Sequence, residues 1–191
     1  MVMRPEMAVW VARIATGWSR LEEKLGILIV QLLGTNAHTG MKMYQALSSS
    51  AAQKAVLRAV ANDQLSAAMV AELETILLEY KKVGRKRNDI VHGHWGFSDE
   101  HPNDLVWTDS KEDLLAHSEF WAGWRSFEEE QERFDFASAW TRKRQHVLYG
   151  ALEFESILDG MRNVFGKLAV FTMACDKFQQ AKRDQAGLGC G

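Results

Sequence analysis

Two long stretches of this sequence place side chains, all apolar except Arg87, at alternating steps of three and four residues, and the spacing of neither run breaks. Val11, Ile14, Trp18, Leu21, Leu25, Leu28 and Leu32 form the first series; Met69, Leu73, Ile76, Tyr80, Val83, Arg87 and Ile90 form the second. An α-helix turns once in about 3.6 residues, so each series lies along one face as a continuous stripe. The first predicts a helix over 6–33, roughly 40 Å long at 1.5 Å per residue. A seam of that length needs another long helix, or a second copy of the chain, to cover it.

The remaining elements follow from where these runs stop. Gly34, Asn36 and Gly40 end the first helix. Between 41 and 62 the signals shorten: Met43 and Leu47 suggest one small helix, Ser48, Ser49 and Ser50 offer caps, and Val56, Leu57 and Val60 mark the next. The second long helix is expected over 63–91, with Gly93 in the left-handed position that closes a helix. The pattern then changes. His94–Ser98 and Leu105–Thr108 are short aromatic and β-branched runs, and the residues between them favour turns, which predicts a β-hairpin. From 111 to 145, Trp121, Trp124, Phe127, Phe134 and Phe136 fit further strands or a short helix against the core. Phe154, Leu158, Met161, Phe165, Leu168, Thr172 and Cys175 return to helical spacing over 148–183, and 185–191 reads as a flexible tail. The fold class expected is mainly α: an up-down helical bundle in a single domain, 1–191, with 94–145 as a hairpin-containing insertion.

Composition narrows the function classes. Hydrophobic residues are 47% and charged residues 25%, enough to bury a core and too apolar for a disordered chain. The net charge of −2 excludes a protein coated in positive charge for nonspecific nucleic-acid binding, though not a local basic site. Cys175 and Cys190 make no disulfide framework, and no signal peptide or membrane-length apolar run is visible; a cytoplasmic protein is expected.

Arg87 is the most informative residue. A guanidinium on a packing stripe is costly unless a carboxylate pairs with it, or unless it opens onto a cleft where a ligand supplies the negative charge. His92 follows five residues later, and a tightened last turn would bring its ring to the same side. An Arg that holds a phosphate and a His that moves a proton are the groups that cleavage of RNA by its own 2′-hydroxyl would use. The structural alternative is a salt-bridged Arg87 and a helix-capping His92. Lys81, Lys82, Arg85 and Lys86 precede the motif, off its stripe, and suit an RNA backbone or an ordinary solvated face equally. Thr141–His146 is a second basic run. His92, His94 and His101 do not form a metal template, and no cofactor motif occurs.

The run Arg87-Asn88-Asp89-Ile90-Val91-His92-Gly93 resembles the signature of HEPN domains, all-helical proteins whose ribonuclease members carry an Arg, a polar residue next to it, and a His separated from the Arg by four to six intervening positions; here four residues intervene. The resemblance covers about 6–92 and leaves the Trp-rich section after 94 unexplained. It implies Arg87 as the phosphate-stabilising group, His92 as general acid or base and Asn88 as a positioning group. Glu22, beside the first stripe, is the expected polar partner of Arg87. It also implies a metal-independent endoribonuclease acting as a homodimer, because base and acid require two His and each chain offers one motif His. A toxin or phage-defence role with an antitoxin partner follows from the resemblance alone. A noncatalytic interaction module, or a small-ligand sensor using the aromatic section, are the competing expectations.

Overall fold

The computed structural model describes residues 5–98, 100–143 and 147–188. The described chain is mainly α-helical, in the order α1 (Pro5–Leu33), α2 (Ala37–Ala46), α3 (Ser50–Gln64), α4 (Ala67–His92), β1 (His94–Gly96), β2 (Leu105–Thr108), α5 (Ser110–Trp124), α6 (Glu130–Lys143), β3 (Val147–Tyr149) and α7 (Ala151–Leu188). It separates into two compact units: residues 1–14 with 85–157, and residues 15–84 with 158–191. The helices α1, α4 and α7 each run through the division between them.

In the second unit the two stripes do what their spacing requires. Trp18, Leu21, Leu25, Leu28 and Leu32 of α1 are buried, as are Leu73, Ile76 and Tyr80 of α4. Three glycines let the long helices approach. A Cβ on Gly84 would meet Trp18 Cη2 at 2.7 Å, one on Gly17 would meet Met161 Sδ at 3.1 Å, and one on Gly160 would meet Val83 Cγ2 at 3.3 Å. Trp18 in turn packs against Tyr80, the rings tilted with centroids 4.6 Å apart. The α7 face differs by one residue from its expected stripe. Phe165 is exposed, and Val164 and Phe171 are buried, as are Met161, Leu168 and Cys175. Burial, with Glu72 nearby, pushes the Cys175 thiol up to about 11. Cys190 lies outside the described residues.

Several boundaries move for identifiable reasons. Asp63 and Gln64 finish α3 rather than starting α4, because Leu65 is buried in an extended conformation and Ser66 then caps α4 through Met69 N. Ser49 caps α3, its hydroxyl accepting from Ala52 N at 3.1 Å. In α2 Met43 is exposed and Tyr44 buried. Gly34 ends α1 in the left-handed region, φ +61°. The expected tail is helical through Leu188.

The first unit holds the Trp-rich section. The predicted hairpin is present, with His94 opposite Thr108, Trp95 opposite Trp107 and Gly96 opposite Val106. A third strand, β3, joins the other edge of β2 and aligns Tyr149 with Leu105. Leu148 is therefore a strand residue, and the insertion extends to 149. The stretch read as ambiguous forms two helices, α5 and α6, with no buried residue in α5. Their aromatic side chains pack on one another instead of on the core: Phe120 stacks on Phe136 at 5.7 Å, and a Cβ on Gly123 would meet Phe136 Cζ at 2.4 Å.

Candidate functional site

The end of α4 is fastened to the sheet by two tryptophans. The last carbonyls of a helix lack intrahelical partners and must find donors elsewhere. Trp107 Nε1 donates to Asp89 O at 2.6 Å, and Trp95 Nε1 donates to Ile90 O at 3.0 Å. Cross-strand neighbours point to the same face of a sheet, so the Trp95–Trp107 pair presents both indoles together. Tyr149 and Phe154 pack against Trp95 from the same unit, with centroids at 5.3 and 5.9 Å. Burial, and then the carboxylates of Asp89 and Glu153, push the Tyr149 hydroxyl upward.

Gly93 is not left-handed; Gly34 is the glycine with positive φ among the described residues. Glycine stands at 93 because the Trp107 indole occupies the space of a side chain, 1.6 Å from where a Cβ would lie.

Arg87 sits half-buried on the α4 stripe, between the half-buried Val83 and the buried Ile90. Its Nε is fully enclosed, and Nη1 donates to Asn88 Oδ1 at 3.0 Å. Asn88, expected to position a phosphate or His92, here engages Arg87. His92 is exposed at the last position of α4. The last turn does not tighten, since α4 remains an α-helix through His92. Five positions on a regular helix turn through about 140° and rise about 7.5 Å. Arg87 thus faces inward and His92 outward, and their backbones are not on one side.

Glu22 belongs to the other unit. It is half-buried, and its carbonyl accepts from Tyr44 Oη at 3.0 Å. Lys81, Lys82, Arg85 and Lys86 are all exposed along α4. Lys54, which the sequence did not single out, lies close enough to Lys81 for the two charges to interact; burial first, then Arg58 and Lys81, lower its pKa. Of the run 141–146, residues 144–146 lie outside the described residues, as do the side chains of 141–143.

A second group was missed. His94 Nδ1 lies 2.6 Å from Asp113 Oδ2. Register brings this about: His94 stands opposite Thr108, Asp109 caps α5 by accepting from Lys111 N, and the first turn of α5 returns Asp113 over the strand. Nothing in the local sequence marks a partner nineteen residues away. Among the described residues, no three His, Cys, Asp or Glu side chains converge as a metal site. No helix is long and apolar enough to cross a membrane among those residues. Comparison with protein-family models, curated proteins and solved structures finds no match for the chain.

Proposed function

We propose that the chain is a metal-independent endoribonuclease of the HEPN type, acting as a homodimer. The observation that carries this reading is Arg87: a guanidinium set into a packing stripe, its Nε enclosed and its Nη1 held by Asn88, five residues before an exposed His. An Arg fixed in this way can bind a phosphate and its developing charge without reorganising. His92 is accessible for proton transfer. The regular helix separates the two by about 140°, which gives the dimer its purpose. Two motif helices related by a two-fold axis can offer Arg87 of one copy and His92 of the other to the same phosphate. Lys81, Lys82, Arg85 and Lys86 would follow the RNA backbone, and toxin or phage-defence action with an antitoxin partner is the setting the resemblance implies.

The test is incubation of purified protein with mixed RNA in the presence of chelator. Cleavage leaving 2′,3′-cyclic phosphate ends is expected. Folded His92→Ala protein should lose roughly 10²–10⁴-fold in rate. Arg87→Ala should lose similarly, with a melt to separate catalysis from stability. Mixing the two dead variants should restore up to about a quarter of parent activity, since random exchange makes half the dimers mixed, each with one intact site. A parent that never cleaves RNA, or a folded His92→Ala protein as active as the parent, refutes the assignment. The Arg87–Asn88 bond favours a noncatalytic interaction module as the second reading, in which Arg87 only holds the end of α4.

A further inference from the structure

We propose that His94, held by Asp113, is the general base of the same reaction, so that one chain supplies both proton-transfer groups and the second copy supplies Arg87. This rests on the ribonuclease reading. A carboxylate only accepts, so the 2.6 Å contact to Asp113 Oδ2 fixes the proton on His94 Nδ1. In the neutral ring the other nitrogen, Nε2, then carries the lone pair that a general base needs. The His94 side chain is 61% exposed, which leaves it accessible to a substrate, whereas that of Asp113 is 25% exposed and better held. Asp113 is a positioning residue: it sets tautomer and ring orientation, and touches no substrate.

Placement supports the pairing of the two histidines. Only Gly93 separates His92 from His94, so their Cα atoms are at most about 7 Å apart. Both are anchored by the same short piece of β2: Trp107 is bonded to the last turn of α4, and Thr108 lies opposite His94. The directions of the two side chains also suit the reaction. His92 leaves the end of a helix, while His94 lies on the sheet face opposite Trp95 and Trp107, because strand side chains alternate. In-line displacement puts the attacking and departing oxygens on opposite sides of phosphorus, so base and acid must approach from different directions.

The step balances within these groups. His94 Nε2 takes the 2′-hydroxyl proton as the 2′-oxygen bonds to phosphorus. The bond from phosphorus to the 5′-oxygen breaks, and His92, entering as imidazolium, gives its proton to that oxygen. The products are a 2′,3′-cyclic phosphate and a free 5′-hydroxyl. Proton exchange with solvent then takes the proton from His94 and returns one to His92, which resets the site.

The experiment uses the full chain, RNA and chelator. His94→Ala should cleave roughly 10²–10⁴-fold more slowly, with RNA binding unchanged and an unaltered melt. Added imidazole should restore part of the rate. Asp113→Asn should lower kcat with little change in KM, Asp113→Glu should recover part of it, and ¹⁵N spectra of the His94 ring should pass from one tautomer to a mixture in Asp113→Asn. Mixing His92→Ala with His94→Ala should give no rescue, because both groups come from one copy, while Arg87→Ala with His92→Ala does. If His94→Ala cleaves at the parent rate while His92→Ala is dead, the inference fails and the ribonuclease reading stands. If the parent cleaves no RNA, both fall. Rescue in the His92/His94 mixture would place the two groups on different copies and overturn the proposal.

Discussion

Gly93→Ala tests how the end of the motif helix is held. The added Cβ would lie 1.6 Å from Trp107 Nε1, 2.3 Å from Cε2 and 2.5 Å from Cδ1. Ordinary contacts between carbons are about 3.5–4.0 Å, so the indole must retreat by more than an ångström, roughly. It cannot do so and keep its 2.6 Å bond to Asp89 O. Losing that bond costs about 0.5–1.5 kcal/mol, and forcing a methyl into packed space about 1–3 kcal/mol. No left-handed strain is added, because φ of Gly93 is not positive. The sum is about 1.5–4.5 kcal/mol. In a chain of this size each kcal/mol lowers Tm by about 2–4 °C, so a fall of about 3–18 °C is expected.

Two further variants isolate the cause. Gly166→Ala, at an exposed helical position with nothing within 4 Å, should stabilise by about 1 kcal/mol. Trp107→Phe should cost about 1 kcal/mol, because Asp89 O keeps the Gly93 N–H at 3.0 Å. In the Trp107→Phe background Gly93→Ala should cost less than it does alone, since its obstacle has shrunk. Calorimetry showing Gly93→Ala within 2 °C of the parent, or strict additivity of the pair, would refute this account.

Lys82→Ala and Lys86→Ala should each weaken RNA binding and reduce the magnitude of the salt slope by about one, measured by titration at several ionic strengths, with little change in the chemical step. Tyr44, whose hydroxyl is pushed up to about 12 by burial and then by Glu22, should titrate after the ordinary tyrosines in absorbance at alkaline pH. Because its folded pKa is the higher one, the stability it contributes is complete below pH 10 and lost between about 10 and 12, a fall that Tyr44→Phe should abolish in denaturant titrations.

The parts of the fold readable from sequence are those set by local period. Ile14 to Leu32 and Leu73 to Ile90 form stripes because each residue's neighbours are three and four positions away on its own helix. The hairpin is readable because its strands adjoin in sequence. Phe165 misled because Val164, Leu168 and Phe171 form an equally regular series, and only the neighbouring helices choose between the two faces. β3 was hidden because its partner, β2, lies about forty residues earlier. Gly93 suggested turn chemistry, yet it answers to Trp107, which only the folded sheet brings near. The site divides the same way. Arg87 stood out as a charge on an apolar stripe, and Asn88 as its neighbour. Asp113 lacked any local signal, and the His92 geometry depended on whether the last turn stayed regular.

Burial separates residues that hold this fold from those free to act on a substrate. Trp95 satisfies Ile90 O, a carbonyl that the end of α4 would otherwise leave open, and Trp107 adds a second donor to Asp89 O beside the Gly93 N–H, so their loss is a loss of structure. The exposed His94–Asp113 pair is different. Surface ion pairs contribute about 0–1 kcal/mol, so stability gives little reason for its geometry. The aromatic cluster of α5 and α6 is also a poor surface for RNA bases, because Glu128, Glu129, Glu130, Glu132 and Asp135 would repel the phosphates that accompany them. On the proposed ribonuclease reading, phosphates would instead lie beside Arg85 and Lys86, the exposed cations that lead α4 to His92. The Trp-rich insertion then has a consistent purpose. Its sheet anchors the motif helix through two indoles, and its first helix returns a carboxylate to the histidine two residues beyond the motif. On that reading, substitution of the exposed His92 or His94 tests the chemistry with little change in the fold, whereas Arg87, with Nε enclosed, must always be read together with a melt.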